Sequence, residues 1–236
     1  MLPWDDKKGF RHWLLSSLLN LRWAQLLDMI NFPLIETSLI LDLGCNVGYL
    51  TRPLSLRAKT IGLDIDKSQL CYAKECYNDI EFICCDLCHL PLKSASVDVA
   101  VCGSVFEHIE NLGKAIKEIE TVLKKEGRLA VGYPIETKLL ELIIKSFWRD
   151  QGQVWDQSNI SKHKERLTNP DVHKQDFTSI RKLLKQDFGT LKRQKIPINY
   201  FPDFLSIYEN VIFEKRIRID LNSKRKMSQD HVGSTA

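Results

Sequence analysis

The chain of 236 residues has no apolar run long enough to cross a bilayer. The longest candidate, residues 13–30, is interrupted by Asn20, Arg22, Gln25 and Asp28, whereas a membrane-spanning helix needs roughly 20 apolar residues. The same stretch lacks the small-residue cleavage site of a secretory signal peptide. We therefore expect neither a transmembrane segment nor a signal peptide, while peripheral contact with a membrane stays open.

The seven cysteines follow no pattern of disulfides or of metal ligands. Their number is odd, and the sequence has no C-x₂-C…C-x₂-C pair of the kind that holds zinc. Cys84 and Cys85 are neighbours on a predicted strand, so their side chains should face opposite sides. We expect reduced thiols that pack as small buried hydrophobes in a cytoplasmic protein, and no metal site.

The composition excludes disordered, collagen-like and disulfide-dense proteins. Hydrophobic residues make up 44% of the chain and charged residues 27%, and no internal repeat or low-complexity tract is present. The net charge of +4 is unevenly spread, with 16 basic and 8 acidic side chains in residues 161–226. A basic stretch of this kind is often only a solvated surface, so charge alone does not favour a nucleic-acid partner.

Short apolar runs alternate with helical stretches from residue 38 onwards, which is typical of a sheet covered by helices on both faces. Strands are predicted at residues 39–43, 60–64, 80–85, 97–102, 128–133, 191–197 and 211–217. Helices are predicted within residues 10–30, after Gly48, and at residues 68–76, 111–125, 137–147 and 177–186. Thr178 is the expected N-cap of the last helix. The pattern predicts an α/β, doubly wound, Rossmann-like and mostly parallel seven-stranded sheet with an N-terminal helical cap.

The strongest local signal is the loop from Gly44 to Gly48, between a predicted strand and a helix. Glycine lets the backbone turn sharply and approach a ligand, and Asn46 is well suited to a left-handed turn. The N–H groups at the following helix start would suit an anionic ligand end. The spacing matches neither the G-x-G-x-x-G fingerprint nor the G-x-x-x-x-G-K-[ST] phosphate loop, which disfavours nicotinamide chemistry and NTP hydrolysis. An ordinary strand–helix turn remains the alternative for this loop alone.

Three further strand ends carry polar residues. Asp64 follows the loop by about twenty residues, where a carboxylate commonly binds the two hydroxyls of a ribose. Asp66 fits better as an acid at a helix N-terminus. Asp86 could accept a hydrogen bond from an exocyclic amine, and Leu87 could pack on a purine. His108 could accept a proton near neutral pH or have no catalytic duty.

Together these segments resemble the class I S-adenosylmethionine-dependent methyltransferases. The similar stretches occur in the family's order and at its spacing, at residues 40–48, 62–65, 85–87, 106–109 and 122–129. They lie within residues 38–134, and a weaker likeness extends through the helix of residues 177–188. The family often has glycine where Asn46 stands, and asparagine keeps the turn feasible.

The resemblance implies S-adenosyl-L-methionine as the cofactor. Asp42 would orient its amino group, and Gly103 and Ser104 would close over its methionine end. The backbone that would line the methionine moiety belongs to Gly44, Cys45, Asn46 and Gly48.

On the adenosine side, the resemblance implies that Asp64 holds the ribose diol, with Ile65 beside it. Asp86 and Leu87 would frame the adenine. The reaction implied is in-line transfer of a methyl group from a sulfonium to a nucleophile, with His108 as the candidate base and Glu107 behind it.

A small-molecule acceptor is favoured, such as a quinone-like ring, a lipid headgroup or a sugar. The family's base-amine methylators place a [DN]-P-P-[FY] stretch after strand four, where residues 102–105 read Cys-Gly-Ser-Val. No Pro-Cys motif for cytosine C5 and no appended RNA-binding module is visible. Two alternatives stay open: a non-catalytic cofactor-binding scaffold or partner protein, and an RNA methyltransferase that uses the basic C-terminal half. The sequence predicts no oligomeric state.

The chain divides into three predicted segments. Residues 1–36 form the N-terminal helical cap. Residues 37–221 form the methyltransferase domain, with a cofactor half at 37–134 and a substrate-side half at 135–221. Residues 222–236 form a flexible basic tail.

Overall fold

The computed structural model describes residues 21–30, 33–35, 37–135, 174–196 and 208–216. The strands in these ranges are β1 (Leu39–Leu43), β2 (Lys59–Asp64), β3 (Glu81–Cys84), β4 (Val97–Gly103), β5 (Leu123–Pro134), β6 (Phe188–Ile196) and β7 (Tyr208–Lys215). The helices are α1 (residues 21–29), α2 (Thr51–Ser55), α3 (Lys67–Cys76), α4 (Leu112–Val122) and α5 (Phe177–Asp187). A 3₁₀ turn, Phe106–His108, follows β4.

The seven strands form one sheet in the order β3-β2-β1-β4-β5-β7-β6. The strands from β1 to β5 pair in parallel, and β7 is antiparallel to both of its neighbours. The direction of winding reverses between β1 and β4, and the crevice at such a reversal is where open α/β sheets bind ligands. The predicted α/β, doubly wound sheet is therefore confirmed.

An apolar layer covers each face of the sheet, so the strands are buried on both sides. One layer joins α4 and α5 to side chains such as Leu41, Leu129 and Phe213. The other joins α1 and α2 to Ile40 and Val101. Successive residues of β1 thus belong to different layers, as the alternation of side chains along a strand requires.

Helix α4 ends three residues earlier than its apolar pattern predicts. Asn111 caps its N-terminus by accepting the N–H of Lys114. Its stripe of buried residues ends at Val122, since Leu123 takes an extended conformation and opens β5. Residues 123–125, predicted as helix, therefore belong to the strand.

The expectation of buried cysteines is wrong for three of the seven. Cys45, Cys88 and Cys102 are buried, but those on α3 and on β3 at the sheet edge are exposed, namely Cys71, Cys76 and Cys84. All seven are free thiols.

The described helices are all too short or too polar to span a bilayer. Across the same ranges, no group of three or more histidine, cysteine, aspartate or glutamate side chains is arranged to hold a metal ion. The predicted helix at 137–147, the tail at 222–236 and the first twenty residues of the predicted cap lie outside the described residues.

Asp176, not Thr178, caps α5. Its carboxylate accepts the N–H groups of Thr178 and Ser179 at 2.8 and 2.9 Å, whereas Thr178 is already within the helix. Aspartate fits because its short side chain reaches the free N–H groups of the first helical turn.

Replacing Asp176 should therefore destabilise the fold, and replacing Thr178 should not. We expect Asp176→Ala to lower the free energy of unfolding by about 0.5–2 kcal/mol, the usual cost of losing an N-cap. Thr178→Ala is the matched control and should change it by less than about 0.5 kcal/mol. Urea unfolding followed by circular dichroism measures both, and equal losses would contradict the assignment.

Candidate functional site

The loop after β1 is bound directly to the end of β2. The N–H groups of Gly44 and Cys45 both donate to the carbonyl of Leu63, at 2.7 and 2.9 Å. The carboxylate of Asp64, the last residue of β2, accepts the N–H of Asn46 at 2.8 Å. Side chain and backbone of β2 thus hold the loop in place.

The second carboxylate oxygen of Asp64 holds the turn that leads into α3. It accepts the N–H of Asp66 at 2.9 Å. Asp66 in turn caps α3 by accepting the N–H groups of Ser68 and Gln69. Asp66 is therefore the helix N-terminal acid that the sequence predicts, and Asp64 lies at the strand tip.

The loop has the left-handed turn that the sequence predicts. Gly44, Asn46 and Gly48 have φ angles of 71°, 50° and 84°. Gly44 also has a packing role, because a Cβ atom there would lie 2.8 Å from Cγ1 of Val105, which follows β4. A glycine at 44 is thus needed for contact between two loops, and not only for the approach of a ligand.

The N–H groups of this loop, from Gly44 to Gly48, are all used within the chain. Those of Gly44, Cys45 and Asn46 donate as described above. The N–H of Val47 donates to the side chain of Asn46 at 2.7 Å, and that of Gly48 to the carbonyl of Cys45 at 2.9 Å. Because α2 has only five residues, its N-terminus adds little dipole to compensate.

Asp42 lies at the base of the crevice and is 2% exposed. Its carboxylate accepts the hydroxyl of Thr51 at 2.6 Å. Burial raises the pKa of Asp42 to about 7; the Thr51 hydrogen bond opposes this rise and the nearby charge of Asp64 adds to it. Near neutral pH this carboxyl group is poised between its two protonation states.

The end of β3 lies beside Asp64, since the N–H of Cys85 donates to the carbonyl of Asp64 at 2.9 Å. Asp86 is half-exposed, and its bond from the N–H of Cys88 holds the pKa of its carboxyl below the usual value. Ile65 is 70% exposed, whereas Leu87 is only 7% exposed and packs in the main core. Asp64, Ile65 and Asp86 are thus brought together, while Leu87 turns largely inward.

The two predicted catalytic residues lie in the 3₁₀ turn after β4 and differ in their exposure to solvent. Glu107 is 2% exposed, and its charge acts on Arg22 and Tyr208. His108 is exposed at the surface of the turn. Glu107 therefore faces the interior below α1, and His108 faces solvent.

Helix α1 covers the end of β4, a feature that the sequence does not reveal. A Cβ atom on Gly103 would lie 2.6 Å from Cη2 of Trp23, so the indole rests directly on this glycine. The hydroxyl of Ser104 is bonded to that of Tyr208 at 2.8 Å, and a guanidinium nitrogen of Arg22 donates to Ser104 at 3.3 Å. Gly103 and Ser104 thus lie under α1, as part of the crevice wall.

Tyr208 and Asn210 of β7 complete this wall. Gly132 on β5 makes room for both, because a Cβ atom there would lie 2.6 Å from Oδ1 of Asn210 and 2.8 Å from the Tyr208 hydroxyl. The amide nitrogen of Asn210 donates to the carbonyl of Arg22 and to the side chain of Gln25, both at 3.0 Å. Sequence patterns mark β7 only as an apolar strand, so these contacts across the sheet escape them.

A separate cavity of about 420 Å³ lies between α3 and β3. Its walls include Leu70, Phe82, Cys71 and Cys84. It lies on the β3 side of the sheet, and its wall residue Phe82 also packs beside Gly48 and Gly62.

Comparison with known proteins identifies the domain. The family described as "Methyltransferase domain" matches residues 41–131, which run from β1 into β5. A probable S-adenosylmethionine-dependent methyltransferase of Mycobacterium tuberculosis is 32% identical over 96 residues, 40% of this chain and 35% of the relative. A malonyl-[acyl-carrier protein] O-methyltransferase of Acetivibrio thermocellus is 32% identical over 110 residues, 44% of this chain and 38% of the relative.

The solved structures agree on the fold. The structure of the [4+2]-cyclase SpnF aligns with a TM-score of 0.62 at 16% identity, and the alignment covers 91% of this chain and 85% of the SpnF chain. The chain spans little more than a third of the length of the two curated relatives, so their similarity bears on the domain alone. Residues 41–131 match the methyltransferase-domain family, and a relative over this stretch is named as a probable S-adenosylmethionine-dependent methyltransferase.

Proposed function

We propose that this chain is an enzyme that transfers a methyl group from S-adenosyl-L-methionine to a small-molecule acceptor. The observation that carries the proposal is the convergence of Asp42, Asp64 and Asp86 on one edge of a domain of the methyltransferase family. A cytoplasmic location is part of the proposal, as is the division of the chain at residues 36, 134 and 221.

The carboxylates at this edge of the sheet fit the charge and the hydrogen-bond donors of the cofactor. Each oxygen of Asp64 accepts one backbone N–H and keeps a further lone pair, so it can still accept from the ribose hydroxyls. Asp42 is a buried carboxyl placed to accept from an ammonium group. The loop that would line the methionine moiety, residues 44–48, has the positive φ angles of a tight turn.

The cofactor, when bound, supplies a methyl group on a positively charged sulfur, which is already a good leaving group. The chain's own contribution is to bind and orient, and alignment of this kind can lower a barrier by roughly 7–11 kcal/mol. Asp42 and Asp64 provide negative charge at the crevice, and Trp23 on α1 covers its β4 side. His108 is the candidate proton acceptor, and the buried Glu107 tunes the charge of the wall behind it.

The acceptor we propose is a quinone-like ring, a lipid headgroup, a sugar or a similar small molecule. The absence of the [DN]-P-P-[FY] stretch after β4 supports this choice. One similar protein is named as an O-methyltransferase of a malonyl group on acyl-carrier protein, which supports an oxygen atom as the site of methylation.

Transfer of a labelled methyl group tests the proposal. The purified chain is incubated with methyl-labelled cofactor and with lipid, quinone and sugar extracts, and separately with RNA; cofactor binding is measured by calorimetry. We expect cofactor binding and label in a small-molecule fraction. Binding without transfer to any fraction would indicate a scaffold instead, and label in RNA alone would indicate an RNA methyltransferase.

Asp64→Asn should weaken binding of S-adenosylhomocysteine by about 1–3 kcal/mol, the scale of hydrogen bonds to a charged group. The matched control is Asp66→Asn, because it alters a nearby carboxylate whose contacts serve α3. A 2′-deoxy analogue of the ligand separates ribose binding from loop disorder, since Asp64→Asn should cost it less. Equal losses for the two ligands in calorimetry would remove the ribose role.

The affinity for S-adenosylhomocysteine should rise with pH through the pKa of Asp42, about 7. Below this pH the carboxyl group is protonated and loses its charge attraction for the ligand ammonium. Between pH 6 and pH 8 the ionised fraction rises from about a tenth to about nine tenths, so the gain is at most about tenfold. Asp42→Asn should abolish this rise, and a rise that survives in this variant would contradict the assignment.

The raised pKa of Asp42 also affects the stability of the protein without ligand. Folding raises the pKa of Asp42 from its ordinary value to about 7, so the folded protein binds this proton more tightly than the unfolded chain does. The resulting contribution to the free energy of unfolding is therefore full below about pH 4 and is lost as the pH rises through 7. Binding of a cation beside Asp42 should offset that loss.

A further inference from the structure

The side chain of Arg22 is a partly buried cation in the wall below α1. Its guanidinium lies 4.2 Å from the ring centroid of Trp23 and 5.4 Å from that of Tyr208, so two aromatic rings border it. One terminal nitrogen donates to the Ser104 hydroxyl at 3.3 Å. Part of the Arg22 guanidinium therefore lies against the loop after β4.

One hydrogen-bond donor of the Arg22 guanidinium is unused in the described part of the chain. Its Nε atom is buried and has no hydrogen-bond partner in the described part of the chain, and no carboxylate there lies within 4 Å of its guanidinium. Burial lowers the pKa of Arg22, while Tyr208 and the charge of Glu107 act in the opposite direction. A buried donor without an acceptor costs free energy, and an anion that accepts from this Nε–H group would remove that cost.

The N–H groups of the loop after β1 are already engaged. Its five N–H groups from Gly44 to Gly48 donate to acceptors within the chain. The strand tips around it contribute Asp42, Asp64 and Asp86, which repel a negative group. An anionic end of a ligand at this edge therefore needs a donor from elsewhere, and Arg22 lies nearby, bonded to Ser104 after β4.

From these contacts we propose that Arg22 binds a carboxylate of the ligand in the crevice. A guanidinium presents a planar fork of N–H donors that matches the two oxygens of a carboxylate. The carboxylate belongs either to the amino-acid end of the cofactor or to the methyl acceptor. The inference rests on the proposed function, because it assigns one more contact in the same crevice.

Calorimetry with two ligands that differ by one carboxylate tests the cofactor as the source. Wild-type protein and Arg22→Gln are titrated with S-adenosylmethionine and with its decarboxylated form. We expect Arg22→Gln to weaken binding of the first by roughly 10- to 100-fold and to leave the second unchanged. Arg22→Lys keeps the charge without the fork and should restore part of the loss.

Malonate tests the acceptor as the source. It is titrated into each protein in the presence of saturating S-adenosylhomocysteine. Binding to the wild type that Arg22→Gln abolishes, with unchanged affinity for S-adenosylmethionine, assigns the acceptor carboxylate. The matched control in both arms is Arg57→Gln, because Arg57 donates to the carbonyl of Leu27 in α1 at 2.6 Å from outside the crevice. This control should behave as the wild type.

The results distinguish failure of the carboxylate role of Arg22 from failure of the proposed function. If Arg22→Gln weakens both forms of the cofactor equally and has no effect on malonate binding, the carboxylate role is wrong while cofactor binding stands. If the wild type binds neither form of the cofactor, the proposed function is wrong, and the malonate titration alone decides the role of Arg22. Circular dichroism of Arg22→Gln and Arg22→Lys shows whether each variant is folded, and a folded Arg22→Lys suffices for the comparison.

Discussion

The carboxylate of Asp64 is the interaction on which the candidate site depends. Parallel strands end at the same edge of a sheet, and the ladder of backbone hydrogen bonds stops there, so the loops beyond it need other acceptors. Asp64 supplies two, one for the loop after β1 and one for the turn into α3. An apolar side chain here would leave both N–H groups to find other partners and would free the two segments from each other. The structural role and the proposed binding role are compatible, since a carboxylate has about four acceptor positions and the chain uses two of them.

Electrostatics explains why this edge favours a cationic ligand. Asp42 is buried close enough to Asp64 for their charges to interact, and burial keeps its pKa near 7. A sulfonium and an ammonium group placed between them would relieve both the repulsion and part of the cost of burial. A carboxylate on the same ligand gains nothing from these acids. The wall below α1 differs, because the guanidinium of Arg22 lies there against two aromatic rings.

The sequence predicts the order and type of the elements well, because each strand of a doubly wound sheet is a short apolar run that needs no knowledge of its neighbours. It also predicts the turn at Asn46 and the capping role of Asp66, which depend on local chemistry. It fails where distant segments compete. The end of α4 is decided by the pairing of Leu123 with Val97. The cap of α5 is missed for a local reason, because Asp176, two residues before Thr178, reaches the N–H groups of the first turn. Trp23, Tyr208 and Asn210 form the crevice wall through contacts that no local pattern contains.

The fold alone does not decide the reaction, since SpnF, named as a [4+2]-cyclase, shares it. What distinguishes one such domain from another is what covers the crevice. In this chain the inner face of α1 is fixed by the core, because Leu26, Met29 and Ile30 are buried against the sheet face that carries Ile40 and Val101. The positions of Arg22 and Trp23, within one helical turn of Leu26, therefore follow from core packing and not from flexible surface contacts. A crevice wall set in this way can select a ligand by charge and shape without first having to order a loop.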